Sequence, residues 1–270
     1  MSEPLRVLSL GAGVQSTTMA LMAAHGEIGP MPDAAIFADT QWEPAHVYAH
    51  LDQLEPLLPF PVYRVTNGNL REEIASPRPK GKFLKIDIPA YVSVNGHSGG
   101  LINRSCTRDF KIDPIRRKVR ELLGIAGKRS PKEPVVEQWI GISLDETIRM
   151  KPAREGWVLN RWPLIEERMS RGDCLRWMER RGYPEPKKSS CIGCPFHSDN
   201  EWRSLSEEEF KDAVEVDLRL RDPALGTARI KGELYLHRSC RPLDEVDFST
   251  AEDRGQLNMF LNECEGMCGV

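Results

Sequence analysis

Short apolar runs alternate with helical patterns over the first 65 residues of the chain. The runs Leu5–Leu10, Ala34–Ala38 and Pro61–Val65 are rich in apolar residues and have the length of strands. Between them, Gln15–His25 and Pro44–Leu54 carry apolar residues at helical spacing. Strands that alternate with helices in this way predict a parallel sheet covered on both faces.

The same alternation continues to about residue 145. A helix is predicted at 114–123 and a fourth strand at Gln138–Ile142. In contrast, 76–104 is rich in proline and glycine and predicts a long loop or a small hairpin. We therefore predict an α/β fold, with a parallel sheet of about five strands sandwiched by helices.

Beyond this point the pattern changes to helices and irregular loops. Arg171–Arg181 and Ser206–Leu220 predict helices, whereas Pro184–His197 shows little periodicity. We expect two domains: an α/β nucleotide-binding domain over 1–150, and a helical, cysteine-containing region over 151–270 packed on it.

Composition narrows the class of protein. The 270 residues are 40% hydrophobic and 29% charged, which is typical of a soluble globular chain. No run of about 18 apolar residues occurs, and no secretory signal is recognised, so we expect a cytoplasmic protein without a membrane span. The net charge of −3 argues against a protein that coats nucleic acid by bulk charge.

The charges are unevenly distributed. Residues 101–190 hold 21 lysines and arginines against 13 acidic residues, whereas 243–270 hold one arginine against seven acidic residues. The basic middle favours an anionic partner, either a nucleotide or a nucleic acid. A solvated surface with an acidic tail is the alternative interpretation.

A glycine turn joins the first predicted strand to the first predicted helix. Small residues in such a turn let the backbone approach an anion, and the helix N-terminus offers N–H donors. The candidate phosphate-binding residues are Ser9, Gly11, Ala12, Gly13, Gln15, Ser16 and Thr17. A tight turn without a ligand is the alternative. The absence of Gly-Lys-Ser/Thr excludes a P-loop triphosphatase, and the turn lacks the third glycine of the dinucleotide fingerprint.

The turn Gly11–Ser16 resembles the PP-loop of the adenine nucleotide alpha hydrolase superfamily, whose usual form is Ser-Gly-Gly-x-Asp-Ser. Here Gly11, Ala12 and Gln15 stand where that form has Ser, Gly and Asp. Since Gln15 lacks the carboxylate, Asp145 and Glu146 are the acids that could replace it near a Mg²⁺ ion.

Further elements follow in the order found in the phosphoadenosine phosphosulfate (PAPS) reductase branch of that superfamily. They are Phe37–Thr40 with Glu43 (similar to "DTG.E"), Arg104–Thr107 with Lys111 (similar to "R.CT...K"), Gly141–Glu146 with Arg149 (similar to "GI..DE..R") and Pro163-Leu164 (similar to "PL"). The ordered set covers 5–200, and the chain thus resembles the PAPS reductase-like PP-loop family, including its DNA and RNA sulfur-modifying relatives.

This resemblance implies a fold and a set of roles. The fold would be a PP-loop (HUP-type) sheet, and the glycine turn would hold the phosphates of ATP, with Mg²⁺. Ala38 and Asp39 would border the adenine and ribose, and Gly141 would lie at the same site. Asp39 is also a catalytic candidate, with a helix cap or a turn residue as the alternative.

The chain has seven cysteines, an odd number that favours metal or redox chemistry over a disulfide framework. Cys191 and Cys194 are separated by two residues and followed by proline, a spacing that lets both thiolates bind one metal or cluster. Cys106 is the preferred third ligand, since the flanking Arg104 and Arg108 favour its thiolate.

Relatives that insert sulfur into RNA bases bind a [4Fe–4S] cluster through three cysteines, and the resemblance implies such a cluster here. Cys240 is the preferred fourth ligand from the body of the chain. A structural zinc, a thioredoxin-like redox pair and inert buried thiols are the alternatives, and inert packing is preferred for Cys174.

Two more cysteines, Cys264 and Cys268, lie in a polar C-terminal stretch. Sulfonucleotide reductases end in a mobile tail whose cysteine attacks the sulfur of the substrate, and this tail is similar in its position and in its Glu263-Cys264 start. A catalytic or sulfur-carrying thiol, a cluster ligand and an unpaired tail all stay open.

Three functions follow from these features. The first is an ATP pyrophosphatase with sulfurtransferase activity, which adenylates a nucleobase or nucleic-acid group and then replaces AMP with sulfur. The second is a sulfonucleotide reductase that uses a tail cysteine, and the third is a nonenzymatic nucleotide-binding subunit. Expected partners are an adenine nucleotide, a nucleic acid bound through 101–190, and a sulfur donor or thiol reductant; a homodimer is left open.

Overall fold

The computed structural model describes residues 3–75, 88–102, 105–222 and 231–249. These residues form two compact units, each built from non-contiguous segments. Unit 1 comprises the described residues within 1–39, 45–67 and 110–189. Unit 2 comprises those within 40–44, 68–109 and 190–249.

Helices and strands alternate along most of the described chain. In order they are β1 (Leu5–Leu10), α1 (Val14–Ala24), β2 (Ala34–Asp39), α2 (Ala45–Leu54), β3 (Val62–Thr66), α3 (Leu70–Ala75), β4 (Tyr91–Val94), β5 (His97–Leu101), α4 (Asp113–Leu122), β6 (Val136–Ile140), β7 (Val158–Arg161), α5 (Pro163–Glu166), α6 (Arg171–Arg180), α7 (Asp199–Ser204), α8 (Glu207–Leu220) and β8 (Glu233–Tyr235). A π-helical turn covers Thr107–Ile112, and short 3₁₀ helices cover Glu55–Leu57, Leu144–Arg149 and Leu243–Glu245. None of the helices in the described ranges has both the length and the apolar character needed to span a membrane.

Unit 1 contains a five-stranded sheet in the order β3-β2-β1-β6-β7. Every neighbouring pair in it is parallel. From β1 the chain adds β2 and β3 on one side and later returns to add β6 and β7 on the other. This reversal between β1 and β6 is a topological switch point, where open parallel sheets bind ligands outside the carboxyl ends of their strands.

Helices cover both faces of this sheet, because successive side chains of a strand point to opposite faces. Val7 of β1 packs with Val119 of α4 in one apolar cluster. The next residue, Leu8, belongs to a second cluster that includes residues of α1, α2 and α6. The predicted parallel sheet of about five strands between helices is therefore confirmed.

The predicted strands of unit 1 lie within two residues of those observed, but β7 was not predicted. Its sequence, Val-Leu-Asn-Arg, is too short and too polar to form a recognisable apolar run. Because β7 pairs with β6 at the sheet edge, residues 151–189 lie in unit 1, although the sequence placed them in the second domain.

Unit 2 contains a three-stranded antiparallel sheet in the order β5-β4-β8. Asn95 and Gly96, both with positive φ, form the turn between β4 and β5. This dipeptide favours tight hairpins, and the predicted small hairpin is confirmed for the described part of 76–104. The fully buried carboxylate of Asp217 in α8 accepts hydrogen bonds from the backbone N–H groups of Leu236 (2.7 Å) and Leu243 (3.0 Å), which fixes the chain after β8.

A substitution at Gly141 tests the packing at the switch point. A Cβ on Gly141 would lie 2.9 Å from Ser16 N and 3.0 Å from Ser16 Cα, both backbone atoms that cannot rotate away. Gly141→Ala should therefore lower the free energy of unfolding by about 1–3 kcal/mol. In the control, Gly156→Ala, the new Cβ would meet only Lys132 O at 3.8 Å. Equal denaturant midpoints for the two variants would contradict this close approach.

Candidate functional site

The turn Gly11–Gly13 connects β1 directly to α1 in unit 1. Ala12 is buried and has a φ of 56°, a left-handed conformation that reverses the chain direction within a few residues. Gly13 is the N-cap of α1 and supplies no side-chain cap. The N–H groups of the first helical turn lack intrahelical acceptors, so this helix end is suited to an anion.

The hydroxyl group of Ser16 holds the turn closed. Its Oγ accepts a hydrogen bond from Gly11 N (3.1 Å) and donates to Gly13 O (3.3 Å). The sequence predicted Ser16 as a phosphate donor, whereas in this structure its one proton is directed to the turn itself. The backbone of the turn, rather than this hydroxyl, is what the geometry offers to a ligand.

Gln15 gathers charged side chains of both signs at the turn. Its Nε2 donates to Ser143 Oγ (3.4 Å) and Glu146 Oε2 (3.3 Å), and its Oε1 accepts from Arg171 Nη1 (3.2 Å). Glu146 Oε1 also accepts from Arg149 Nη1 (2.6 Å). A carboxylate and a guanidinium group thus both contact the side chain of Gln15.

The two acids predicted to lie near a Mg²⁺ ion, Asp145 and Glu146, have different contacts. Glu146 meets the turn through Gln15, as described above. Asp145 instead accepts a hydrogen bond from the backbone N–H of Arg171 (2.8 Å), at the start of α6. Of the two, Glu146 is therefore the carboxylate associated with the turn.

The other predicted nucleotide-site residues make contacts within unit 1. Ser9 Oγ accepts from Gln138 Nε2 (2.8 Å), and the fully buried Thr17 shares a hydrogen bond of 2.9 Å with His50. The remaining two are Ala38, which is buried in β2, and Asp39, whose Oδ1 accepts from the Tyr48 hydroxyl (2.8 Å). Asp39 ends β2 and is not a helix cap, since α2 begins at Ala45.

His50 has an unusual electrostatic environment. Burial, followed by the charge of nearby His46, lowers the pKa of His50 below its ordinary value of 6.5. The imidazole of His50 is therefore neutral at neutral pH. Sequence reasoning did not single out this residue, because its contact with Thr17 depends on the packing of α2 against α1.

In unit 2, Cys191 and Cys194 lie at the ends of a tight turn. Cys194 N donates to Cys191 O (3.0 Å), and Ile192 N donates to Trp42 O (2.9 Å). A Cβ on Gly193 would come within 2.1 Å of Trp42 Cη2, so the turn packs on the indole ring at a distance that only glycine permits. This contact fixes the conformation of the cysteine turn.

The buried thiol of Cys191 lies beside a buried carboxylate. Cys191 Sγ is 3.3 Å from Thr40 Oγ1 and 3.4 Å from Glu43 Oε1. Thr40 Oγ1 in turn donates to Glu43 Oε1 (2.9 Å), and Glu43 is only 5% exposed. The sequence placed Thr40 and Glu43 in a family-like segment but gave no indication that they contact Cys191.

The predicted cluster ligands are not assembled in the part of the chain that the structure describes. Within it, no group of three or more His, Cys, Asp and Glu side chains could hold a metal ion, and no cysteine forms a disulfide. Cys240 Sγ donates to Val92 O (3.7 Å), and Cys106 is partly buried. Arg104, Cys264 and Cys268 lie outside the described residues. The cluster through Cys106, Cys191, Cys194 and Cys240 therefore stays a prediction.

Cys174 is an inert core residue, as the packing interpretation expected. It is fully buried in the cluster formed by α1 and α6. Burial raises the pKa of its thiol to about 12, despite a hydrogen bond to Thr18. The thiolate, which is the reactive form, is therefore not populated at neutral pH.

Comparisons with known proteins give a likeness to solved structures. No protein-family model and no curated protein sequence matches this chain. Among solved structures, the chain is similar to the phosphate complex of phosphoadenylyl-sulfate (PAPS) reductase from Candida auris, with a TM-score of 0.42 and 11% identity. The match covers 76% of this chain and 85% of that chain.

The lowered pKa of His50 predicts a pH dependence of stability. In the interval between the folded-state pKa and about 6.5, the unfolded chain binds a proton at this position that the folded chain does not. Stability contributed by neutral His50 is thus present above pH 6.5 and is lost as the pH falls through the folded-state pKa. His50→Asn should flatten the acid side of the profile of unfolding free energy against pH, whereas the exposed His97→Asn should not. Parallel profiles for the wild-type protein and His50→Asn would contradict the assignment.

Proposed function

We propose that this chain is a PP-loop enzyme that binds the phosphates of an adenine nucleotide on the turn Gly11–Ser16. The observation that carries the proposal is the position of this turn. It connects β1 to α1 at the switch point of the parallel sheet, with Glu146 and Arg171 gathered beside it by Gln15. The sequence resemblance to the PP-loop supports adenine as the base.

The geometry favours phosphate over other anions. The uncapped N-terminus of α1 offers several N–H donors and the positive end of the helix dipole. Arg171 adds a fixed positive charge, and the planar guanidinium matches the geometry of phosphate oxygens. Gly11 and Gly13 leave room for a phosphate to approach the backbone closely.

In the proposed reaction an oxygen of the substrate attacks the α-phosphorus of ATP, and pyrophosphate leaves. Arg171 would neutralise charge that develops on the leaving pyrophosphate. The oxygen donors at the turn fit Mg²⁺, which proteins bind through one or two carboxylates together with substrate phosphates, and Glu146 is the residue that would hold it. Such an ion, when bound, would supply further charge neutralisation.

We further propose that the activated group belongs to a nucleobase or a nucleic acid, and that sulfide supplied by a sulfur donor then displaces AMP. The excess of basic over acidic residues in 101–190 and the paired cysteines support this sulfur-transfer step. As placed, however, the described cysteines do not fit a three-thiolate cluster. Cys191 donates to the buried carboxylate of Glu43, which would face a cluster thiolate with like charge. We therefore derive no step through a cluster.

Gly11→Ala tests the phosphate site without disturbing the fold. The added Cβ would meet only Ser16 Oγ at 3.6 Å, an ordinary contact, so the denaturant midpoint should not change. The same methyl group would block a phosphate from the backbone, and the Kd for ATP in titration calorimetry should rise roughly 10-fold, or about 1.4 kcal/mol. Gly156→Ala serves as the control. An unchanged affinity for ATP in Gly11→Ala would refute a phosphate site at this turn.

The reaction itself is tested with ATP labelled on the α-phosphate, using total tRNA and plasmid DNA as substrate probes. We expect AMP and pyrophosphate in equal amounts with one of these probes. Glu146→Gln should slow their formation roughly 100-fold, since it removes the carboxylate that would hold Mg²⁺. The exposed Glu133→Gln should have no effect. The absence of AMP with both probes would contradict activation of nucleic acid.

A second function, reduction of a sulfonucleotide, is favoured by the Glu263-Cys264 start of the C-terminal stretch, which lies outside the described residues. This reaction needs no ATP and releases sulfite. Sulfite formed from PAPS or adenylyl sulfate with a dithiol, and lost in Cys264→Ser, would establish this function in place of the first.

A further inference from the structure

The backbone of the Cys191–Cys194 turn brings the two cysteines close together. The hydrogen bond from Cys194 N to Cys191 O (3.0 Å) closes a four-residue turn. Such a bond holds the first and last Cα atoms within about 7 Å, close to the range of roughly 4.4–6.8 Å that disulfides span. The backbone separation of Cys191 and Cys194 therefore permits a bond between their sulfur atoms.

The two thiols differ in exposure and in their surroundings. Cys194 is partly exposed, whereas Cys191 is buried. Cys191 Sγ donates to Glu43 Oε1 (3.4 Å), which also accepts from Thr40 Oγ1 (2.9 Å). The proton of the buried thiol thus already points to a carboxylate that can accept it.

The surroundings of the turn are held rigidly within unit 2. The ring of Trp42, on which Gly193 packs, donates from its indole N–H to Asp212 Oδ2 (2.5 Å). Arg71 pairs with Asp212 and, at 2.6 Å, with Glu215. These contacts join the cysteine turn, through Trp42, to α3 and α8 within unit 2.

We propose that Cys191 and Cys194 form a thiol–disulfide exchange site in which Cys194 attacks a disulfide substrate and Glu43 accepts the proton of Cys191. This activity does not depend on the nucleotide site. A substrate can reach the partly exposed thiol of Cys194. The buried thiol of Cys191 lies beside Glu43, which can accept its proton, so Cys191 is placed to attack the mixed disulfide.

The exchange balances with a low-molecular-weight disulfide as the oxidant. Cys194 releases its proton to water, and its thiolate attacks one sulfur of the disulfide. The first small thiolate leaves and takes up a proton from water, which gives a mixed disulfide on Cys194. Cys191 then transfers its proton to Glu43 and attacks the Cys194 sulfur. The second small thiolate leaves and takes up that proton, so two cysteines are oxidised and one disulfide is reduced to two thiols.

The test uses the full-length protein and oxidised glutathione. Trypsin releases both cysteines in one peptide, 189–203, so its mass distinguishes the thiol, mixed-disulfide and internal-disulfide forms. In the wild-type protein the internal disulfide should form. Cys191→Ser should trap glutathione on Cys194, and Cys194→Ser should leave Cys191 unmodified.

The role of Glu43 is tested by the rate at which the mixed disulfide closes. Glu43→Gln should slow the conversion of the mixed disulfide to the internal disulfide roughly 10- to 100-fold at neutral pH. This effect is at or somewhat below the usual contribution of a general base to the rate. The control Glu208→Gln removes an exposed carboxylate from α8 in the same unit, away from the contacts of the cysteine turn, and its mixed disulfide should close at the wild-type rate. An unchanged rate in Glu43→Gln would overturn the proposal.

If Glu43→Gln does not fold, the wild-type protein and the two cysteine variants still test the proposal. Failure of the wild-type protein to form the internal disulfide, or glutathione attached first to Cys191, would overturn it. So would stoichiometric zinc or iron bound through both thiols in the purified protein, because metal thiolates are not available for exchange.

Discussion

The close approach of Gly141 to the backbone of Ser16 is the contact on which the candidate nucleotide site depends. It brings the end of β6 against the first turn of α1, in a space that no side chain larger than hydrogen fits without displacement. Ser143 and Glu146 follow Gly141 in the chain and therefore meet Gln15. The absence of a side chain on Gly141 thus determines where the carboxylate of Glu146 lies relative to the glycine turn.

The contacts of Gln15 bring charges of both signs to the glycine turn. Its amide binds a carboxylate through the nitrogen and a guanidinium group through the oxygen. A neutral side chain thus holds the charges of Glu146 and Arg171 near the turn.

The architecture of unit 1 could be predicted because its strands are short and strongly apolar. Ala34–Asp39 is buried at all but its last position, so it has the pattern of an internal parallel strand. β7 and β8 could not be predicted, since four and three residues with polar members carry too little periodicity. The contact between Glu43 and Cys191 joins residues 148 positions apart, and no spacing rule reports such a pairing. The sequence pointed to both Glu43 and Cys191 but did not predict that they contact each other.

The most direct test of the central claim is a crystal structure of the protein with α,β-methylene ATP, which cannot be cleaved to AMP and pyrophosphate. The account predicts that the phosphates lie over the N-terminus of α1, in contact with the backbone of Gly11–Ser16, with Arg171 beside them. Phosphates bound elsewhere on the sheet, or a turn in contact with the base alone, would contradict it.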